Sequence, residues 1–483
     1  MEQTIMNLEP KEVIKFFAEI CKIPHGSFDE KRISDYLTKF ATERGLWVYR
    51  DKELNVYIKK DGSKGFEHCE PVVFQGHMDM VCEKEFDSNH DFTKDGLNLK
   101  TDGEYLFADK TTLGADDGIA VAIMLALLDS KTIKHPPLEC LITTKEEVGL
   151  EGAFAIESDK ISARKMINID TEEEGVLLAS CAGGLNVDVV KELSYVDADG
   201  CEMTLTINGL KGGHSGIDID KERANASKVM ARILSNILDK VPFNLAKIMG
   251  GTKDNAITRD CCATIFVKKQ DKENFINEFE NQVSTIKDEL KITDPNFNAV
   301  ISDTNQLGKM LDEKNTYEVI NLIYTLPSTV MSRSIEIADF VVSSLNMGIV
   351  AMENDSLKIT FMIRSSVETL KYEIAHGLSV VAKCFGATAI TTGGYSGWNF
   401  QSVSPLRDTM VKVYKEIFGK ELKVEAVHAG LECGIIKSKF PDMDIVAIGP
   451  DIVDCHTPGE RMSIESLERL WKLILETLDE LCK

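Results

Sequence analysis

Up to about Gly184 the chain alternates helical and strand-like segments, and this alternation restricts the fold more than any other feature of it. The segment "PKEVIKFFAEICKI" has helical spacing, "PVVFQGH" reads as a strand, "DDGIAVAIMLALLDS" as a helix, and "PPLECLITT" and "KMINID" as two more strands. Strands joined through helices lie side by side in a mainly parallel sheet with helices on its faces. The pattern changes at "SCAGGLNVDVVKEL" and returns with the helical "LRDTMVKVYKEIFG", the buried strand "MDIVAIGP" and the amphipathic "SIESLERLWKLILETLDELCK". At 483 residues the chain is longer than one core usually organises. The expectation is an α/β domain built from residues 1–184 and 401–483, interrupted by an inserted α+β domain over 185–400 that has two related halves.

Charge narrows the partners. Seventy-eight acidic against 55 basic side chains leave a net charge of −23, which argues against nucleic acid and against an anionic membrane surface. The longest apolar run, Ile119 to Leu128, is far short of the roughly 20 residues a membrane helix needs. The 12 cysteines lack CxxC spacing and the first residues lack a basic-then-apolar signal, so free thiols in a reducing cytoplasm are expected.

Chemistry-bearing residues recur where apolar segments end. "VVFQGHMDMV" closes on His77 and Asp79, "LITTKEEVGLEG" on Glu146 and Glu147, and "MINIDTEEEG" on Asp170. Asp116 and Asp117 open the helix in "TTLGADDGIAV", and His456 follows the last strand in "DIVDCHTPGERMS". Taken singly, Asp116 reads as a helix N-cap, the paired glutamates as solvated charge and His456 as a loop residue. Their repetition at strand ends changes the reading, because those ends share one edge of an open parallel sheet, where ligands bind. Two histidines and three carboxylates suit zinc, or cobalt or manganese with less selectivity. With Asp116 as a bridge, His77, Asp116 and Asp170 would hold one ion, and Asp116, Glu147 and His456 the other. Asp79 would then orient the His77 ring.

The ordered set "GHMD", "GADDG", "TKEEVGLEG", "INIDTEEEG", "KGGHSG" and "CHTPGE" resembles the M20 metallopeptidases over nearly the whole chain, and within them the cytosolic aminoacyl-histidine dipeptidases. The resemblance implies a zinc-peptidase catalytic domain with an inserted lid or dimerisation domain, two zinc ions per subunit, and a small unblocked dipeptide as substrate, Xaa-His and β-Ala-His included. It implies Glu146 as general acid/base, a cis peptide after Asp116, and His214 of "KGGHSG" as a donor to the carbonyl oxygen as charge develops there. Asn255 in "DNAITR" and Arg364 in "FMIRSS" match positions that hold the substrate backbone and C-terminal carboxylate, and His428, Gly430 and Glu432 in "HAGLECGII" are candidates for the substrate termini. Two positions depart from the pattern: Lys145, where many relatives carry Asp, and Asp117, where close relatives often carry Asn. His25, His68, His90, His135 and His376 match no motif and read as structural or solvated.

Other activities fit the same residues. A deacylase of N-acyl amino acids or a carboxypeptidase could use the same ions, a two-metal phosphoesterase is a more distant reading, and a metal-binding protein without catalysis would fit if Glu146 were missing. A homodimer through the inserted domain is a further expectation.

Overall fold

The computed structural model describes residues 2–305 and 308–483, which divide into two compact units. The first comprises residues 1–180, 400–426 and 431–483, and the second residues 181–399 and 427–430. The sequence reading puts the divisions at 184/185 and 400/401 and keeps 427–430 with the first unit; the contacts of that short segment lie with the second. No helix among the described residues is long and apolar enough to cross a membrane.

The first unit is built on an eight-stranded sheet. Its order is Trp47–Arg50, Val56–Lys60, Leu138–Thr143, Val72–His77, Lys165–Asn168, Asp444–Ala447, Val176–Cys181 and Lys423–Val427. The four central strands, from Leu138–Thr143 to Asp444–Ala447, pair parallel. The flanking strands Trp47–Arg50, Val56–Lys60 and Val176–Cys181 pair antiparallel, so the sheet is less uniformly parallel than the helix–strand alternation predicts. Val72–His77 and Leu138–Thr143 are buried at every position, as expected for strands covered on both faces. The helix Ala115–Asp129 is buried on all sides from Gly118 to Leu128, which accounts for its unbroken apolar sequence.

Cys69 and Cys482 correct the expectation of free thiols throughout: their sulfurs are paired across a sequence separation of 413 residues. Their Cα atoms stand 5.6 Å apart, the usual separation for a disulfide. Nothing in local spacing signals a partner so distant in the chain.

The second unit has its own core and a continuous mixed layer of strands and helices. Each half runs strand, helix, strand, strand, helix, strand. In one half these are Cys201–Asn208, Ala226–Leu238, Phe243–Gly250, Cys261–Val267, Lys272–Leu290 and Asn298–Asp303. In the other they are Gly183–Glu192, Glu313–Thr325, Val341–Glu353, Ser356–Ser365, Glu368–Cys384 and Thr388–Tyr395. Within each half the spatial order is fourth, first, third, second strand, and the two second strands pair antiparallel at Met249 with Ala351 and Gly250 with Val350. The first half is inserted between the first strand and first helix of the second.

Candidate active site

In the first unit, parallel pairing of three neighbouring strands brings His77, the Glu146–Glu147 turn and Asp170 to one sheet edge. Asp116 enters at the start of the buried helix, with non-helical backbone at φ −81° and ψ 105°, and the peptide bond to Asp117 is cis. Its two oxygens face two rings: Oδ1 lies 3.1 Å from His77 Nε2, and Oδ2 lies 3.0 Å from His456 Nε2. Glu147 Oε1 is 2.9 Å from His456 Nε2, and Asp170 Oδ1 is 3.8 Å from His77 Nε2. Among the described residues four groups have metal-ligand spacing: His77–Asp116–Asp170 and Asp116–Glu147–His456, which share Asp116 as the sequence reading expects, and also His77–Glu146–Glu147 and Asp116–Glu172–Cys455.

The charge environment fits divalent cations. Hydrogen bonds from Asp116 and Glu147 push the His456 ring up to about 10, despite partial burial. Burial, Asp117 and Asp116 push Asp170 well above the usual carboxylate range. So many carboxylates around two imidazoles call for positive charge, and N/O donors of this kind supply sites for zinc or manganese.

Asp79 faces His77 with its main-chain carbonyl as well as with the carboxylate expected. The strand stops at His77, and the ring Nδ1–H donates to the Asp79 main-chain carbonyl at 2.9 Å and lies 3.5 Å from the Asp79 carboxylate, while Nε2 faces Asp116 and Asp170. The Asp79 carboxylate also accepts from the Glu146 N–H at 3.1 Å, from the Glu147 N–H at 3.4 Å and from Ser27 Oγ at 2.9 Å. Burial alone would raise its pKa, but these bonds and the His77 ring hold it below the ordinary value. Asp79 therefore ties the turn that carries both glutamates to the strand that carries His77.

The Glu146 carboxylate makes no hydrogen bond among the described residues. Burial pushes it up to about 8; Glu432 and Glu147 add to that, while His77 opposes it. Lys145, at φ 53°, directs its ammonium to Glu53 at 2.9 Å and Glu151 at 3.6 Å. Asp117 is buried and accepts the His77 N–H at 3.2 Å. A Cβ at Gly76 would collide with that carboxylate and with the Ala120 methyl, so the close approach requires glycine.

Glu432 differs from its expected place among substrate contacts. Its side chain is fully buried in the first unit and accepts from Gln75 Nε2 and, at 2.6 Å, from Thr143 Oγ1. Asn168 Nδ2 donates to Gln75 Oε1 at 2.7 Å. Gln75 and Asn168 precede His77 and Asp170 by two residues, so a polar belt crosses the sheet beneath the ligand-bearing ends. The sequence reading missed this belt; alternation along each strand was the available signal.

The second unit gathers His214, Arg364 and His428. Arg364 is buried, with Nε 3.2 Å from Ser215 Oγ and Nη1 3.1 Å from the Tyr395 hydroxyl, and no carboxylate pairs with it among the described residues. His214 Nδ1 accepts from the N–H groups of Gly216 and Ile217, each at 3.3 Å, which puts the ring proton on Nε2. Arg364 Nη2 lies 3.3 Å from that same Nε2, so two donors face each other without an acceptor. Burial and Arg364 lower the His214 pKa, and they push His428 down to about 3, leaving both rings neutral. His428 Nε2 is 2.7 Å from Ser344 Oγ, and Gly430 leaves room for the Tyr395 ring, which a Cβ would approach to 2.7 Å. Asn255 is exposed, and its main-chain carbonyl accepts from the Ser215 N–H at 2.9 Å. Tyr395, absent from the sequence reading, is identified only by this packing.

The profile of Peptidase family M20/M25/M40 matches residues 73–480. The chain is 37% identical to the cytosol non-specific dipeptidase of Escherichia coli (strain K12), over 99% of both chains. Its fold superimposes on the aminoacylhistidine dipeptidase from Vibrio alginolyticus with a TM-score of 0.94 and 33% identity, again over 99% of both. The aminopeptidase PepT from Bacillus cereus shares the fold at 16% identity, with a TM-score of 0.57 over 99% of this chain and 100% of that one. On the strength of the profile and the full-length likeness, this chain belongs to the M20 peptidase family.

Proposed function

We propose that this protein is a cytoplasmic, metal-dependent dipeptidase that hydrolyses unblocked dipeptides, Xaa-His and β-Ala-His among them. The observation that carries the reading is the Asp116-centred pair of ligand groups with the unbonded Glu146 carboxylate beside it. Its full-length relatives, named as a non-specific and an aminoacylhistidine dipeptidase, support a dipeptide substrate and leave the breadth of side-chain preference to measurement.

His77, Asp116 and Asp170 would hold one divalent ion, zinc in the first instance, and Asp116, Glu147 and His456 the other. Bound there, the ions would lower the pKa of a water and polarise the scissile carbonyl. Glu146, whose carboxylate makes no hydrogen bond among the described residues, takes the proton of the attacking water and returns it to the leaving amine. Asp79 fixes the Glu146 backbone and the His77 tautomer throughout. Arg364 recognises the substrate's terminal carboxylate, the acceptor its own surroundings lack, and the His214 Nε2–H serves the negative charge that develops on the carbonyl oxygen. Asn255, His428 and Gly430 keep supporting roles around the substrate.

The inner strand edges of the second unit's two halves are already paired with each other, so a homodimer through this unit would use an outer edge or a helix face. Sizing the purified protein tests that point.

Mass-spectrometric product analysis tests the activity. Zinc-loaded enzyme is expected to cleave β-Ala-His and α-dipeptides, to spare a tripeptide and N-acetylated dipeptides, and to lose activity to a chelator. Cleavage restricted to the acetylated compounds would mean a deacylase. Arg364→Ala is expected to raise KM for dipeptides by about 10- to 100-fold, the worth of a hydrogen bond to a charged group. Its KM for C-terminally amidated dipeptides should match that of the wild type; an equal loss on both substrates would remove the carboxylate role.

A further inference from the structure

The segments that supply Asp116 and His456 lie 340 residues apart, and one buried side chain joins them. Glu460 is 3% exposed. Its Oε2 accepts from the N–H groups of Leu113 at 2.8 Å and Gly114 at 3.2 Å, and its Oε1 from that of Ala115 at 2.8 Å. Three successive main-chain donors thus converge on one carboxylate, and the next residue is Asp116. Gly114 makes the turn possible with φ 65°, and a Cβ there would stand 2.8 Å from Met80 Sδ.

On the other side, Glu460 closes the loop that presents His456. The loop rises between strands Ile452–Val453 and Arg461–Ser463, and Asp454 and His456 both adopt left-handed backbone, at φ 56° and 62°. The His456 side chain is about half exposed, and its hydrogen bonds among the described residues go only to Asp116 and Glu147. No wall of packed atoms therefore fixes the ring, and its place depends on where the loop is anchored.

We propose that Glu460 is a positioning residue of the metal centre: it docks the His456 loop onto three main-chain N–H groups, those of Leu113, Gly114 and Ala115, and so sets the separation of His456 from Asp116. Among the described residues its hydrogen bonds come from neutral main-chain donors and from no basic side chain, which makes the match one of shape and not of ion pairing. The inference rests on the metal reading above.

Glu460→Gln keeps the shape but turns one acceptor oxygen into a donor facing an N–H. Calorimetric zinc titration of the metal-free full-length protein is expected to give about a 10- to 100-fold weaker affinity than the wild type, the usual cost of losing a group that orients a ligand. Turnover should fall more than KM changes, and the thermal midpoint of the metal-free protein should fall by only a few degrees, the cost of one unmet main-chain donor. Zinc affinity equal to the wild type overturns the proposal, as does a fall in the metal-free midpoint with zinc affinity intact, the mark of a purely structural residue. If the glutamine variant does not fold, Glu460→Asp, which keeps the charge but shortens the reach, is measured against the same two outcomes. Wild-type protein that binds no zinc would instead overturn the metal reading, and this inference with it.

Discussion

Glu146→Ala is expected to lower turnover by about 10²- to 10⁴-fold, the range for a positioned general acid/base, with metal content at the wild-type value. The Glu146 carboxylate is free of hydrogen bonds among the described residues, while its main-chain N–H is held by Asp79, so its removal takes away a proton carrier without releasing the turn. The same residue also stands in an alternative ligand group with His77 and Glu147. Metal analysis alongside kinetics separates the roles: loss of bound metal would make Glu146 a ligand, and near-normal turnover would remove it from catalysis.

Asp116→Ala is expected to abolish binding of both ions and to leave only background hydrolysis. Asp116 turns one oxygen to each ring, at 3.1 Å from His77 and 3.0 Å from His456, so its loss takes a donor from each site together. Ligand binding to the folded state adds RT ln(1 + [L]/Kd), about 2.7 kcal/mol at a hundredfold excess over Kd. Added zinc should therefore raise the thermal midpoint of the wild type and leave that of the variant unmoved. A variant that still takes up two ions per chain would show that Asp116 is not the bridge.

These two residues illustrate how much of the site could be read along the chain. Each lies where an apolar segment ends or a helix begins, and a parallel sheet collects such ends on one edge. Glu432 and Asp79 were harder, since a letter sequence does not reveal which atom of a residue faces its partner. Glu432 reads as a candidate for the substrate termini beside His428, yet it is fully buried on Gln75 and Thr143. Asp79 reads as a carboxylate that steers His77, and the ring meets its main-chain carbonyl as well as that carboxylate. Lys145 could be expected to act on its neighbour Glu146, but the left-handed turn sends its ammonium to Glu53 and Glu151.

The sequence by itself determined the alternating core of the first unit and the placing of the candidate site residues at the ends of its segments, because each depends on local periodicity or on a short motif. Tertiary structure decided what depends on pairing over long separations. Gly183–Glu192 joins helix Glu313–Thr325 across an entire inserted half, and Cys69 meets Cys482. Arg364 finds Ser215 and Tyr395, and Glu460 finds the turn before Asp116. Such contacts are selected by burial and by the satisfaction of polar groups once the chain has closed on itself, and no local pattern encodes them.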